Sequence, residues 1–268
     1  MKGTTVGGLL KIISKYNNSW QAYFSFMILF HIVSVMGLIY SSWDWLWLTL
    51  VGVILFRHIG GEIGAHRYFA HRSFKAKPWA HKFMAICGIF IYQGTQFPWV
   101  AFHRYHHEKA DTLEDPHSPH YLSPFDVWFT NWRQEIYEHR LYADLVKDAF
   151  LKLLHRNYLI IVVPPLVLTA LIDWRIPVFF FALPSIITLH TGGLVNTIGH
   201  MWGYRNFETS DKSTNNTLGQ WLSGFTGSML HNNHHYAPSA YNTKMSDKWY
   251  ETDFLNVFII ENFLMKRV

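Results

Sequence analysis

His103-Arg104-Tyr105-His106-His107 is the stretch of this sequence that determines how the rest is interpreted. The same His-x-x-His-His spacing returns at His231-Asn232-Asn233-His234-His235, and a further pair, His66 and His71, brackets four residues. In a chain with 17 histidines among 268 residues, one such motif is expected by chance only about 0.07 times. We therefore interpret the repeated motif as part of a metal site.

The spacing of each motif fits a helix that presents its histidines to a metal. Residues i, i+3 and i+4 share one face of a helix, so each triad points its three imidazoles the same way. His66 and His71 are five residues apart, which is about 140° on a regular helix. They converge only if the helix unwinds near His71; otherwise each binds a different ion. Asn196 and His200, spaced i and i+4, also face one way, so that His200 could bind directly and Asn196 through a water.

Nine histidines are thus candidate ligands: His66, His71, His103, His106, His107, His200, His231, His234 and His235. A catalytic zinc normally has three protein ligands, so nine suit two ions with four or five imidazoles each. Two redox-active irons that activate O₂ fit best, although such a site also takes zinc as a substitute in purified protein. The alternative interpretation is a polar interfacial face or a set of pH-sensing histidines. Packing or a solvated surface is the expected role of the other eight, which are His31, His58, His81, His117, His120, His139, His155 and His190.

The composition indicates an integral membrane protein. Half of the residues are hydrophobic and 15% are charged, against about 25% charged in an ordinary soluble domain. The net charge of +5 is not gathered in basic runs, so we expect no nucleic-acid partner. A lone cysteine, Cys87, permits neither an internal disulfide nor a cysteine-based zinc site.

Four apolar segments are long enough to be membrane spans, at about residues 20–40, 43–64, 157–173 and 176–199. The second requires Arg57 to extend its side chain to the lipid headgroups. Phe83–Tyr92 is too short to cross. With four spans, every histidine cluster lies on the same side of the membrane, whereas a fifth span would separate the first cluster from the second. We expect one domain, 1–268, and Val6–Tyr16 to be either an interfacial helix or a frayed terminus.

The charge distribution indicates which side that is. Two short turns lie on the side opposite the histidines, one between the first and second spans and one between the third and fourth. They contain one arginine, Arg175, and no lysine. The positive-inside rule therefore places the histidines and both termini in the cytoplasm. Trp43, Trp45, Trp47 and Trp174 stand where an outer aromatic belt is expected.

Several acids are placed to orient the histidines, because a ligating histidine usually donates its other N–H to a carboxylate or a carbonyl. Glu62 lies one turn before His66. The others follow the second cluster and are Glu108, Asp111, Glu114 and Asp115.

Four segments together resemble a known family. They are Gly-Ala-His-Arg-Tyr-Phe-Ala-His-Arg-Ser-Phe-Lys-Ala (64–76), His-Arg-Tyr-His-His through Asp115-Pro116-His117, Asn-Thr-Ile-Gly-His-Met-Trp-Gly-Tyr-Arg (196–205) and His-Asn-Asn-His-His-Tyr (231–236). In this order, and with four spans between residues 20 and 245, they closely resemble the membrane fatty acyl desaturases, especially the acyl-CoA delta-9 branch.

The resemblance implies an all-α membrane protein: four transmembrane helices under a cytoplasmic helical cap that holds a di-iron centre. It implies that the nine histidines above bind the irons, with Asn196 holding a water. The implied reaction uses O₂ and two electrons to convert two neighbouring methylenes of a saturated fatty acyl chain into a cis double bond. A bent apolar tunnel would position the chain, and Trp99 and Trp128 are candidates for its wall or for headgroup contact.

Two departures from the family pattern bear on the partners. Members acting on acyl-CoA often carry a charged pair just before the second histidine cluster, where this sequence has Ala101-Phe102. Acyl-carrier-protein and glycerolipid substrates therefore remain open alternatives to acyl-CoA. The sequence also has no fused haem-binding module of the His-Pro-Gly-Gly type, so we expect a separate electron donor, either a small b-type cytochrome or a ferredoxin.

Other classes of function remain as alternatives. A membrane di-iron hydroxylase or ketolase uses similar histidine motifs, and the residues around them favour desaturation here. A metal transporter would carry its histidines or acids inside the spans along a path, whereas these clusters lie outside them.

Overall fold

The computed structural model of this chain describes Asn17 and residues 19–130 and 138–266. Over these residues the secondary structure is helical, apart from isolated bridges such as Ala76 with Met265. The predicted N-terminal helix, Val6–Tyr16, lies outside the described residues.

The helices differ in type as well as in length, and several π-helical segments continue an α-helix. In chain order they are α1 (Trp20–Tyr40), a 3₁₀ turn (Trp43–Trp45), α2 (Leu46–Gly52), the long π-helix (Val53–Ala70), α3 (Pro78–Ile89), α4 (Gln96–Lys109), a π-turn (Asp126–Thr130), two 3₁₀ turns (His139–Leu141 and Leu145–Lys147), α5 (Ala149–Arg156), α6 (Tyr158–Ile172), α7 (Arg175–Pro177), a second π-turn (Val178–Ala182), α8 (Leu183–Met201), α9 (Thr217–Leu222), α10 (His231–Tyr236), α11 (Phe254–Ile259) and a final π-turn (Ile260–Leu264).

Three continuous helices in the described residues are long and apolar enough to cross a membrane. They are Trp20–Tyr40, Trp43–Ala70 and Arg175–Met201. The second runs on past the predicted end at residue 64 and carries His66 with it. By length and composition, the described chain therefore has three candidate spans and up to four if a bent pair is counted as one.

The bent pair corresponds to the third predicted span. α6 has 15 residues, which rise about 22 Å against a hydrocarbon core of about 30 Å. α5 precedes it at an angle of 64°, and together the two helices pass the same test of length and composition. Pro164 and Pro165 lie inside α6.

The prediction that Arg57 extends to the headgroups is wrong. Its side chain is only 3% exposed and points toward α8, where Nε donates to Thr191 Oγ1 at 2.9 Å. Nη1 lies 3.2 Å from Nε2 of His58. The long π-helix packs against α8 along this face, so the guanidinium is held between two helices.

Two of the candidate spans begin next to each other. The Arg175 guanidinium lies over the Trp45 ring, 4.5 Å from its centroid, and so joins the start of Trp43–Ala70 to the start of Arg175–Met201. Both helices then run in the same direction and carry His66 and His200 near their far ends. α3 has 12 residues and packs against the long π-helix.

Candidate metal centre

The nine predicted histidines come together in two groups at this far end. His66, His71, His103, His107 and His234 form the first cluster, and His106, His200, His231 and His235 form the second cluster. In each cluster one ring nitrogen from every member lies within 4.8 Å of all the others. The clusters adjoin, since the rings of His107 and His235 stack at 4.3 Å.

The long π-helix brings His66 and His71 into the same cluster. The His71 N–H donates to the His66 carbonyl at 3.1 Å, which is the i to i+5 hydrogen bond of a π-helix. Residues five apart are therefore about one turn apart on this helix, and their side chains turn to the same side. Of the two possibilities left open by the spacing, the altered helix is the one observed, and both histidines belong to the first cluster.

Each His-x-x-His-His triad is divided between the two clusters. On α4, His103 and His107 belong to the first cluster and His106 belongs to the second. On α10, His234 belongs to the first, and His231 with His235 to the second. The two helices therefore face each other across both clusters, and the long π-helix and α8 complete one cluster each.

The Nε2 atoms of neighbouring rings are as close as ligands of a shared ion. The separations are His66–His234 3.0 Å, His71–His103 2.8 Å, His103–His107 3.1 Å, His107–His234 3.0 Å, His200–His231 2.9 Å, His231–His235 3.1 Å and His106–His235 3.4 Å. Two nitrogens bound to one ion at about 2.0–2.1 Å lie about 2.9 Å apart at a right angle and about 3.4 Å apart at the tetrahedral angle. The donor set therefore fits two metal ions.

Carboxylates orient three rings of the second cluster from behind. The Nδ1 contacts are His200 to Asp111 at 2.8 Å, His106 to Asp115 at 3.0 Å and His235 to Asp211 at 2.9 Å. An ionised carboxylate only accepts hydrogen bonds, so Nδ1 of each ring carries the proton and Nε2 of the neutral ring is a bare lone pair. The Nε2 atoms of His106 and His235 point at each other with no proton between them. A cation between these lone pairs would remove their repulsion.

The predicted acids fall into two classes. Asp111 and Asp115 contact the cluster as expected, and Glu62 lies more distant, 3.9 Å from His66 Nδ1. Glu108 pairs instead with Arg140, and Glu114 with Lys109, both at the surface.

Asp211 is a functional residue that the sequence analysis missed. It lies in a loop 24 residues before His235, and no regular spacing connects the two. Only the course of the loop brings its carboxylate behind the imidazole.

Burial keeps the imidazoles neutral, which is the form that binds metals. It lowers the pKa of His103, His106 and His107 well below the ordinary value, and neighbouring histidines add to the effect. Burial, together with the charges of Arg104 and Arg67, lowers the pKa of His71 to about 3. These rings therefore offer lone pairs at neutral pH.

The orienting acids are ionised at neutral pH. Burial alone would raise the pKa of Asp111, but the hydrogen bond and charge of His200 and further N–H and O–H donors lower it below the ordinary value. Burial raises the pKa of Asp115 to about 6.

His117 has the packing role expected of it, but it packs directly against the second cluster. It is buried and stacks on His106 with ring centroids 3.9 Å apart. With His106 and Asp115 it forms a third close group of possible ligand atoms. The Asp115-Pro116-His117 turn thus supports His106 from two sides, by hydrogen bond and by stacking.

A cavity reaches the clusters between the long π-helix and α8. It is partly open and has a volume of about 110 Å³. Asn196 and Trp99 line it, as do Arg57 and Glu62. Trp99 also stacks on His103 at 5.1 Å.

Trp128 lies elsewhere. It is not among the residues that line this cavity, and its indole N–H donates to His190 Nδ1 at 3.0 Å. His190 in turn contacts His31 of α1, with the two Nε2 atoms 3.2 Å apart.

Comparison with known proteins identifies relatives over most of the chain. A family model described as "Fatty acid desaturase" matches residues 41–253. "Delta-9 acyl-lipid desaturase 2" of Arabidopsis thaliana is 31% identical over 247 residues, which cover 86% of this chain and 75% of that protein.

Two further relatives differ in the substrate that their names state. "Acyl-CoA C20 Delta5-desaturase" of Anemone leveillei is 31% identical over 246 residues, covering 87% of this chain and 77% of the relative. "sn-1 stearoyl-lipid 9-desaturase" of Synechocystis sp. is 29% identical over 250 residues, covering 89% of this chain and 76% of the relative.

Proposed function

This chain belongs to the fatty acid desaturase family of oxidoreductases, and we propose that it introduces a cis double bond into a saturated fatty acyl chain in an O₂-dependent reaction at two iron ions. The overall change joins one acyl chain, one O₂, two electrons and two protons to give the unsaturated chain and two waters. The delta-9 position is our first candidate, since two of the relatives above are named for it.

The observation that carries the proposal is the convergence of nine imidazole nitrogens in two clusters. We propose that the first cluster binds one iron with five histidines and that the second binds the other with four, completed by a water held by Asn196. The facing lone pairs of His106 and His235 support this assignment. Bound iron would supply the redox chemistry that activates O₂ toward an unactivated C–H bond.

The contribution of the protein is positioning and the exclusion of water. The cavity lies between helices that meet the clusters from the membrane side, and Val195 and Ile91 give it apolar walls. A chain held there presents only a few methylenes to the metals, which is how position along a uniform chain is selected. We propose Trp99 as part of this wall because it lines the cavity and its ring stacks on His103.

We propose a single domain with four spans, its termini and both clusters in the cytoplasm. The one Arg in the outer turns, Arg175, stacks on Trp45 at the opposite end of the helices from the clusters. The helical segments around the clusters would then form a cytoplasmic cap. A separate b-type cytochrome or a ferredoxin would supply the electrons.

The acyl carrier has three candidates. Acyl-CoA is the expectation from the sequence motifs, and a membrane glycerolipid is favoured by relatives whose names specify acyl-lipid or stearoyl-lipid substrates. Acyl-carrier protein is a third possibility. The order in which a new double bond appears in the acyl-CoA and glycerolipid pools distinguishes them.

The decisive experiment is expression in a host that lacks its own desaturase, followed by mass spectrometry of the acyl chains. We expect a monounsaturated product, and its loss in His106→Ala and His234→Ala while the protein remains folded in the membrane. Glu114→Ala, at an exposed acid, is the matched control and should retain activity. An oxygenated product without a new double bond would assign the chain to hydroxylation instead.

Metal analysis of the same preparations tests the site separately. We expect about two ions per chain in the purified protein, as iron or as substituting zinc. One ion or none in a folded preparation supplemented with iron would contradict the two-cluster assignment.

A further inference from the structure

The C-terminal helix exposes a face that is unusually apolar for a segment outside the spans. The helix comprises α11 and the following π-turn, and it is the one shorter apolar helix in the described chain. Phe254, Phe258 and Phe263 are 71%, 45% and 51% exposed. Their rings form a row, with centroids 5.8 Å and 5.9 Å apart. The opposite face is buried in the core through Ile259, Ile260 and Leu264.

This helix packs against the long π-helix, which is part of a candidate span. Asn256 lies next to His58 of the long π-helix. Asp253, directly before the helix, pairs with Arg67 of the same π-helix at 2.9 Å. The row of phenylalanines therefore begins beside a helix that we place in the bilayer, on the part of it between His58 and Arg67.

α9 adds a second exposed apolar surface close by. Leu218, Trp221 and Leu222, spaced i, i+3 and i+4, are 57% to 70% exposed. The side chain of the intervening Gln220 donates to the Thr252 carbonyl, and Asn256 Nδ2 donates to the Thr226 carbonyl at 2.8 Å. Each helix is thus hydrogen-bonded to the loop that flanks the other.

The exposure of these side chains matches that of a lipid-facing helix. In α1, residues such as Phe24, Ile28 and Ile32 are 46% to 54% exposed. Phe258 and Phe263 are exposed to a similar extent, and Phe254 is more exposed. A monomeric soluble surface seldom carries such a concentration of large apolar groups. The surface thus resembles the lipid-facing sides of the spans in its composition.

Lysines surround the end of the C-terminal helix. The Lys266 N–H donates to the Lys75 carbonyl at 2.8 Å, and both side chains are exposed. Lys77 Nζ donates to the Phe263 carbonyl at 2.8 Å, and Trp79 beside it is 53% exposed. Aromatic rings with adjacent lysines are typical of a segment at the membrane interface, where the lysines are attracted to anionic headgroups.

We propose that Phe254–Leu264, with α9 beside it, is a monotopic anchor that inserts into the leaflet facing the histidine clusters, and that Lys75 and Lys266 bind anionic lipid headgroups. The occupant of this face is lipid, and the inference rests on the membrane topology given under the proposed function. Its consequence is that the bilayer reaches the long π-helix on this side nearly to the level of His66. The inserted C-terminal helix would hold the histidine clusters at a fixed distance from the acyl chains of the bilayer.

Site-directed spin labelling in lipid nanodiscs measures this directly and does not depend on activity. The single cysteine, Cys87, is buried, and Cys87→Ser provides the background. We expect a nitroxide at Phe258→Cys to collide several-fold more often with O₂ than with a water-soluble nickel chelate. Ile32→Cys in α1 is the lipid-facing reference, and Leu113→Cys, at a site 82% exposed in the loop after α4, is the aqueous reference.

The outcomes separate this inference from the topology on which it rests. If the label at 258 behaves as the one at 113 while the label at 32 remains in lipid, the C-terminal helix faces water or a protein partner and the inference is wrong. If the label at 32 is also aqueous, the membrane topology itself fails.

A second arm tests the headgroups. With phosphatidylglycerol in the nanodisc, we expect the label at 258 to lie deeper than in pure phosphatidylcholine. Lys75→Gln combined with Lys266→Gln should abolish that difference and leave the depth of the label in pure phosphatidylcholine unchanged. If the label at 258 lies at the same depth in both lipids when Lys75 and Lys266 are present, the headgroup assignment is wrong.

Discussion

At the scale of single residues, the hydrogen bonds behind the imidazoles determine what the clusters can bind. Three carboxylates accept a hydrogen bond from the Nδ1–H of a histidine in the second cluster, and they belong to Asp111, Asp115 and Asp211. The unprotonated Nε2 of each ring therefore points to the centre of that cluster. The first cluster has the more distant Glu62 in this role. The two proposed metal sites thus differ in how firmly their ligands are held.

Asp211 provides the sharpest test of this arrangement. Asp211→Ala removes the acceptor behind His235, so we expect metal affinity or activity to fall about 10- to 100-fold. Metal content after dialysis against a graded chelator measures the affinity. Glu108→Ala removes an acid of the surface pair with Arg140 and should have no effect. Equal losses in both variants would argue against an orienting role for Asp211.

Asp144 joins α4 to the end of the long π-helix. It accepts from Arg104 Nη1 at 2.7 Å, and Arg104 also donates to the Phe69 and Ala70 carbonyls at 2.8 Å. Burial alone would raise the pKa of Asp144, but hydrogen bonds and charges from Arg104 and Arg72 lower it to about 2. The pair therefore stabilises the folded state only while this carboxylate is ionised.

The pH dependence follows from the direction of that shift. A folded-state pKa below the unfolded value gives stability that is complete above about pH 4 and is lost as the pH falls toward 2. Allowing for partial exposure, we expect Asp144→Asn to lower the free energy of unfolding by about 1–2 kcal/mol at pH 7. Unfolding of the solubilised protein should show this gap closing at low pH. A gap that is constant from pH 7 to pH 3 would contradict the assignment.

At the scale of elements, the long π-helix has two functions. Its wider turn brings His66 and His71 to one cluster, and its glycine surface lets α3 approach closely. A Cβ at Gly60 would lie 2.4 Å from the Cys87 carbonyl carbon and 2.5 Å from the Gly88 nitrogen, both of them backbone atoms. At the adjacent Gly61 the nearest atom would be 3.6 Å away.

These neighbouring glycines form a matched pair of substitutions. We expect Gly60→Ala to destabilise the protein by about 1–3 kcal/mol or more, because backbone atoms of α3 must move to admit the methyl group. Gly61→Ala should leave the unfolding temperature nearly unchanged. Thermal unfolding of both variants in detergent measures the difference, and similar temperatures would show that the two helices are not in the contact described.

At the scale of the whole molecule, the clusters connect segments that are distant in sequence. The long π-helix, α4, α8 and α10 each contribute histidines, and the second cluster alone joins His106 to His235. Without ions, the close approach of nine imidazoles has to be maintained by the surrounding packing. Bound metal would therefore stabilise the fold as well as enable the reaction.

Removal of metal should accordingly lower the stability of the entire protein. A ligand that binds only the folded state adds about 4 kcal/mol at a thousand times its dissociation constant, so we expect the unfolding temperature to fall on chelation and to recover with Fe²⁺ or Zn²⁺. His234→Ala, which lacks a ligand of the first cluster, should respond less. An unfolding temperature unaffected by chelation in a metal-loaded sample would contradict this coupling.

The amino-acid sequence alone is sufficient to predict the helical class, three candidate spans and all nine clustered histidines. Helical periodicity and runs of apolar residues are local properties, so spacing along the chain carries this information for residues such as His103, His106 and His107. The same reasoning predicted Asp111 and Asp115 behind the rings, since they lie within one short turn of the second motif.

Other features depend on contacts between distant segments and appear only in the folded chain. The division of each triad between two clusters, the Asp211–His235 pair and the inward orientation of Arg57 are of this kind. Whether His66 and His71 share a cluster was likewise undecided by their five-residue spacing, because it depends on the helix type. The repeated His-x-x-His-His motif thus indicates a metal site, while the packing of α4 against α10 assigns each of its imidazoles to one cluster or the other.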